Sequence, residues 1–383
     1  KTCAMLVPLL PIRFRVASQC PSFRQMSSSG CDADVIISGG GLVGMALACA
    51  MGRNPWISDK KILILERSPA PAPSPPLAEV DPVSTPYSNR VVALNPGTEK
   101  FLESINVWSK LPRWQAVHRM QVWETGSAAF INFDAGSSDK ITTVVETNWL
   151  LRGMLEKAIV GTLEMDCGED DRDDHVAWQR FQDPGPIALL PLRHGLSSLV
   201  WSTRDADRLM ALTEEEFVEE LNKALTRSPQ WENCPPRGGS SAFRLPPTVS
   251  KVVSGSRAAY PLALTMACSY VRPRVVLVGD AAHQVHPMAG LGVNLGFGDV
   301  QALTRAVERS ARLGKEIGGR NELMEYNSRR QRVNVPIMTA IDSLHRLYST
   351  TLAPLVLLRS LGLGATDAAG PLKRLIMLQA STT

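Results

Sequence analysis

Apolar positions along this chain fall into a few distinct patterns, and each predicts an element. DADVIISGGG is a short uninterrupted apolar run ending in glycines, which predicts a buried strand, and LVGMALACAMG after it predicts a helix of small residues able to pack closely on a sheet. KILILE supplies the next strand, and SPAPAPSPPLAEVDPVSTP is too rich in proline for either regular element and predicts an exposed loop. Structure resumes near Tyr87. TEKFLESINVWSKL and ETNWLLRGMLEKAI place apolar residues at helical spacing, whereas HRMQVWE and AAFINFD alternate or run like strands. In the middle of the chain VAWQRF, GPIALLPL and LSSLVWST predict three strands of a mixed or antiparallel sheet. An acidic helix, LTEEEFVEELNKAL, follows with Thr213 as its cap. RVVLVGDAAH then repeats the strand-and-small-residue pattern of the N-terminal part, and the chain from Asp299 to about Ile376 reads as helical. No tandem repeat is present.

The chain has 383 residues, room for two or three domains with a substantial core. Its composition is that of a globular protein, and a net charge of +4 gives no reason to expect a nucleic-acid partner. Seven cysteines, widely spaced and without a CxxC, point to a reducing interior and not to a secreted disulfide scaffold. Residues 1–31 carry Lys1, Arg13, Arg15 and Arg24, five serines and no acid, the composition of a mitochondrial transit segment. No apolar run reaches the length of a membrane span, and Arg359 interrupts LAPLVLLRSLGLGA, so any membrane contact is expected to be peripheral.

Two constellations carry chemistry. Gly39, Gly41 and Gly44 form GxGxxG between a strand and a helix, where backbone N–H groups can meet a pyrophosphate at the helix N-terminus. Glu66 ends the next strand, the position from which a carboxylate accepts hydrogen bonds from ribose hydroxyls, while Gly40 is expected to add only flexibility. This context predicts a dinucleotide site and leaves NAD and FAD both open. The second constellation, GDAAHQVHPMAGLGVNLGFGD, sets Asp280 after an apolar strand and then a glycine-bearing run entering a helix.

That segment resembles the second flavin fingerprint of the class A flavoprotein aromatic hydroxylases, whose fold is like that of para-hydroxybenzoate hydroxylase. The resemblance implies an α/β (mixed α+β) fold, with a Rossmann-like FAD-binding domain, an inserted mixed-sheet substrate domain and a helical C-terminus. It implies that Asp280 contacts the ribityl chain and that the stretch from Pro287 through Gly290, Gly292, Val293 and Asn294 borders the isoalloxazine, where helix-start amides can stabilise negative charge. YSNRVVALNPGTEKFLESINVW, YVRPRVVLVGDAAH and the tail RLYSTTLAPLVLLRSLGLGATDAAGPLKRLIM narrow the likeness to the mitochondrial coenzyme Q biosynthesis flavin monooxygenases of animals. Members hydroxylate the ring of a polyprenylated 4-hydroxybenzoate intermediate, here expected at C5, through a flavin C4a-hydroperoxide. They act peripherally on the matrix side of the inner membrane, within an assembly of coenzyme Q biosynthesis proteins, with electrons from a ferredoxin and its reductase.

On this basis residues 1–31 are a transit segment, and 32–160 with 268–313 form a discontinuous FAD-binding domain, part of 87–145 contributing to the substrate side. Residues 175–267 are a shortened substrate domain and 314–383 a helical C-terminal region. Arg90 matches a family arginine near flavin and pyrophosphate. Arg152 lies near a position that approaches the flavin, though its helix also needs a polar face. His286 and Pro287 are the expected substrate-side residues. No obligate catalytic side chain is expected, since the flavin carries the oxygen chemistry. His283, His286 and Asp280 have a spacing that invites a metal reading, which lacks a further ligand cluster and is set aside. Trp178, Phe181 and Trp201 are expected in the core before any ligand pocket.

The sequence departs from the family in two ways. Leu291 stands between Gly290 and Gly292 where the family has glutamine. The interval GTLEMDCGEDDRDDH is also too short to hold the family's internal Asp-Gly fingerprint and its strands, and their loss is expected to leave strand edges unpaired. Two alternatives to an active hydroxylase therefore stand: a shortened, catalytically impaired assembly subunit, or a flavin dehydrogenase without oxygen insertion.

Overall fold

The computed structural model describes residues 33–67, 77–82, 84–88, 90–124, 130–135, 139–157, 175–182, 185–192, 196–226, 244–259, 264–285, 290–348, 360 and 362. The expected transit segment, the acidic run from Glu169 to Asp174, the pair His286 and Pro287, and the tail to Ile376 lie outside them.

The first unit is β1 (Val35–Ser38), α1 (Leu42–Gly52) and β2 (Ile62–Leu65), with β1 and β2 parallel from Val35 opposite Ile62 to Ser38 opposite Leu65. Apolar side chains on every face let α1 be buried from Gly44 to Gly52, packed between the helices Thr147–Lys157 and Leu291–Arg312. Next come β3 (Val91–Leu94), α2 (Pro96–Ser104), β4 (Gln115–Val117), β5 (Arg119–Glu124), β6 (Phe130–Asp134), β7 (Thr142–Glu146) and α3 (Thr147–Lys157). Asn95 caps α2 by accepting from the Thr98 N–H at 2.7 Å, with Pro96 in the first turn. This helix stops at Ser104, short of the span predicted from periodicity, because Asn106 takes a left-handed φ of 55° and a 3-10 turn at Trp108–Lys110 follows.

The remainder is β8 (Val176–Phe181), β9 (Ile187–Pro191), β10 (Ser197–Trp201), α4 (Ala206–Ala211), α5 (Glu214–Thr226), β11 (Thr265–Met266), β12 (Val271–Arg272), β13 (Val275–Val276), β14 (His283–Gln284), α6 (Leu291–Arg312) and α7 (Arg320–Tyr348). The middle strands join a five-stranded sheet in the order β10-β9-β8-β5-β6, antiparallel except for the parallel pair β5 and β8. Ile187 and Leu189 from its face bury against Leu209, Phe217, Leu221 and Leu225 of α4 and α5. β3, β7 and β4 form a separate three-stranded antiparallel sheet in the order β3-β7-β4.

One expectation needs correction. RVVLVGDAAH does not form the single strand that its apolar run predicts: Val275 and Val276 turn back on Val271 and Arg272 as a short hairpin. Among the described residues β1 pairs with β2 alone, so no strand spans the gap between β1 and the second glycine segment.

Candidate functional site

The site is built where two helices begin. At the first, Gly39 takes φ +111° and its N–H donates to Leu65 O at 2.8 Å, fixing the loop on β2. A Cβ on Gly44 would stand 2.0 Å from the Gly39 carbonyl oxygen, so only glycine lets α1 start this close to the strand. Open space surrounds the Cβ positions of Gly39 and Gly41. Helix α1 is capped by Gly41, with no side-chain cap and no acid in its first turn. Among the described residues no side chain caps its first N–H groups, an arrangement that fits a pyrophosphate.

Glu66 meets this loop, and here Gly40 does more than add flexibility. Its N–H donates to Glu66 Oε2 at 2.6 Å, and a Cβ at position 40 would come within 3.1 Å of that oxygen. The acid expected to face a ribose is thus fixed in direction by the phosphate loop itself.

The second helix start, at α6, repeats the arrangement. Gly290 caps it at φ +59°, with no side-chain cap and no acid in the first turn, and open space surrounds the Cβ position of Gly292. Leu291, Gly292 and Val293 supply the first N–H groups of the helix. Asn294 has a different role: its amide donates to Ala93 O at 2.8 Å and Gly290 O at 3.0 Å and accepts from the Asn95 N–H at 3.0 Å. This side chain bolts α6 to the end of β3.

Val43 brings the two starts together. Its side chain sits in a notch made by Gly279 and Gly296; a Cβ on Gly296 would lie 2.6 Å from Val43 Cγ2, and one on Gly279 3.0 Å from it. Gly279 holds φ +58° beside Asp280, which is exposed. The first fingerprint, the Asp280 turn and the start of α6 therefore converge through one valine that sequence reading passed over.

Beneath this junction lies a buried polar network. Asp299 accepts from the Gly279 N–H at 2.9 Å, lies 2.7 Å from His283 Nε2, and pairs with Arg330 Nε at 2.6 Å. Arg330 continues to Leu295 O and to Asn334 Oδ1. Nearby, Tyr326 donates to Leu277 O at 2.8 Å; burial, with Asp299 adding to it, pushes its hydroxyl well above the usual phenol range and keeps it a donor. His283 is thus engaged with Asp299, and no group of three or more His, Cys, Asp or Glu side chains among the described residues could hold a metal ion.

The arginines divide differently. Arg90 is exposed at the start of β3, and its carbonyl accepts from the Thr147 N–H at 3.0 Å, which ties it to the start of α3. Arg152 is half-buried on α3, with its guanidinium 5.1 Å from the Trp149 ring. Sequence reading missed the buried Arg113, which pairs with Glu146 at 2.6 Å and donates to the carbonyls of Pro82, Thr85 and Pro86. Glu146 also accepts from Trp149 Nε1 and the Ser88 N–H, so this pair pins the loop before Arg90 to the helix of Arg152. The aromatic strand residues pack on protein: Trp178 on Trp123, Trp201 on Phe217, and Phe181 stacked on Tyr348 at 4.2 Å.

A domain family described as an FAD binding domain matches residues 244–340, which contain the Asp280 turn and the start of α6. The human protein named ubiquinone biosynthesis monooxygenase COQ6, mitochondrial, is 35% identical over 455 aligned positions, covering 94% of this chain and 95% of that protein. Its mouse counterpart is 36% identical, covering 91% and 90%, and that of Drosophila melanogaster 36% identical, covering 90% and 88%. The 455 positions exceed the 383 residues of this chain, so the human relative carries internal stretches that the chain lacks. Among solved structures, p-nitrophenol 4-monooxygenase PnpA from Pseudomonas putida superposes with a TM-score of 0.59 at 16% identity, covering 91% of this chain and 97% of that one. Klebsiella pneumoniae HpxO, complexed with FAD and uric acid, gives 0.55 at 15% identity, covering 91% and 95%. These two likenesses establish the fold, and the fuller sequence matches establish kinship: the chain belongs to the ubiquinone biosynthesis monooxygenase COQ6 family.

Proposed function

We propose that this chain is an FAD-dependent monooxygenase that hydroxylates the ring of a polyprenylated 4-hydroxybenzoate intermediate, at C5, in ubiquinone biosynthesis. The observation that carries the reading is the convergence of two glycine-capped helix starts through Val43, neither with a side-chain cap or an acid in its first turn among the described residues. FAD, once bound, supplies the activation of dioxygen. The protein holds and orients it. Amides of Leu42 and Val43 meet the pyrophosphate, with Gly39, Gly41 and Gly44 keeping side chains out of the way. Glu66 accepts from the adenosine ribose and Asp280 from the ribityl chain. Amides of Leu291, Gly292 and Val293, held in place by Asn294, stabilise negative charge on the ring. Arg90 and Arg152 lie on the two elements that Arg113 and Glu146 tie together, and act on the phosphate or ring oxygens. His286 and Pro287, expected on the substrate side, lie outside the described residues.

The relatives' names support a mitochondrial placement, to which the resemblance adds the matrix face of the inner membrane, neighbouring coenzyme Q biosynthesis proteins, and a ferredoxin with its reductase as electron source. No helix among the described residues is long and apolar enough to cross a membrane. A test is purification with added FAD followed by turnover under labelled dioxygen: flavin absorbance retained with the protein and one labelled oxygen in the product support the reading. Substrate oxidation without label would favour a flavin dehydrogenase. A second reading, an assembly subunit without turnover, draws on the two-stranded β1–β2 sheet and the internal stretches missing relative to the human protein. A folded chain that binds its partners but never retains FAD would establish it.

A further inference from the structure

Between α6 and α7 lies a groove of about 390 Å³, lined by Arg305, Arg329, Arg330, Arg332, Val333 and Ile337 among others. Arg330 closes its floor and is occupied by Asp299 and Asn334. The other three arginines are exposed, and none forms an ion pair among the described residues, whereas Arg309, Arg312 and Arg346 on the same helices each have a carboxylate partner. Three guanidiniums gathered in one concavity carry a charge that no carboxylate among the described residues pairs with, and their planar forks suit phosphate oxygens.

Along α7 the groove continues into residues of another character. Pro336, Ala340 and Leu344 follow Arg329 and Arg332 at three- and four-residue spacing on one face; all three are exposed, Leu344 to 44%. A soluble phosphate ester has no use for an apolar strip leading out of its site, but an amphiphile has. We propose that this groove and strip dock the chain on an anionic phospholipid surface, with headgroup phosphates on Arg305, Arg329 and Arg332 and Pro336, Ala340 and Leu344 at the acyl boundary. The inference gives a surface to the proposed membrane placement and rests on that placement, not on the flavin chemistry.

Co-sedimentation of the full chain with vesicles tests it. Phosphatidylcholine vesicles containing phosphatidylglycerol should bind the protein, pure phosphatidylcholine vesicles should not, and binding should fall as salt is raised. Each of Arg329→Ala and Arg332→Ala should weaken binding about fivefold, from about 1 kcal/mol per basic residue near such a surface. The Arg329→Lys/Arg332→Lys pair should retain most of it, and Leu344→Ser should weaken binding at high salt as well as low. Circular dichroism melts that match the parent chain confirm that the variants fold. Unchanged binding of the alanine variants would overturn this surface while leaving the membrane placement intact. Absence of vesicle binding by the parent chain would overturn both. Displacement from vesicles by glycerol 3-phosphate at concentrations comparable to the lipid would assign the groove to a free phosphate ester instead.

Discussion

Gly44 shows how much a single missing Cβ can decide. A methyl group 2.0 Å from the Gly39 carbonyl forces either the loop or the helix to move. Gly44→Ala should lose stability toward the upper end of about 1–3 kcal/mol typical of overpacking, and should lose FAD retention more completely than stability. Urea denaturation and flavin absorbance after gel filtration read the two effects separately. Arg113 is a different kind of residue, buried together with Glu146. Arg113→Ala leaves a carboxylate stranded out of water and should cost about 3–5 kcal/mol, whereas Arg113→Ala combined with Glu146→Gln should recover part of the loss. The glycines were legible in the sequence because their demand is local: a tight turn and a close approach fix the residue type within a few positions. Arg113, Val43 and the tether that Asn294 makes to Ala93 were not, because what defines them is a partner far along the chain, 201 positions away for that tether.

At the scale of elements, local signals also carried well where they were complete. Thr213 caps α5 as the sequence suggested, and Glu216 completes a reciprocal capping box, with the Thr213 N–H on Glu216 Oε2 at 2.9 Å and the Glu216 N–H on Thr213 Oγ1 at 3.2 Å. Thr213→Ala should therefore cost about 1 kcal/mol, read as a lower midpoint in urea with an unchanged slope. Strands fared less evenly. VAWQRF, IALLP and SSLVW lie as read, yet nothing local says that β8 takes β5, from the N-terminal half, as its parallel neighbour. RVVLV is as good a strand sequence as any here and still forms only a hairpin of two-residue strands, because strand formation needs a neighbour to accept its hydrogen bonds. The β3-β7-β4 sheet was not recognised at all, since TTVVE runs straight into the helix that follows it.

Taken whole, the molecule keeps both halves of a dinucleotide site while reducing the sheet beneath it. Among the described residues β1 and β2 are the strands paired where α1 and α6 converge, so helix packing carries more of the fold there than the sheet does. FAD should accordingly stabilise the chain strongly: at a hundredfold excess over its Kd the gain is about 2.7 kcal/mol, and a thermal melt with and without FAD measures it. Asp299 is the counterpart to that cofactor on the protein side. Asp299→Asn removes the charge shared by Arg330, His283 and the Gly279 N–H, and should cost about 3–5 kcal/mol by leaving Arg330 buried without its partner.

The bond from the Gly279 N–H to Asp299 has a consequence for time as well as for energy. Both groups are fully or almost fully enclosed beneath α6 and α7, so deuterium reaches that amide only when the helices part from the glycine turn. In deuterated solvent the Gly279 proton should be among the last in the chain to be replaced. Its lifetime would then serve as a clock for the opening that admits or releases a flavin.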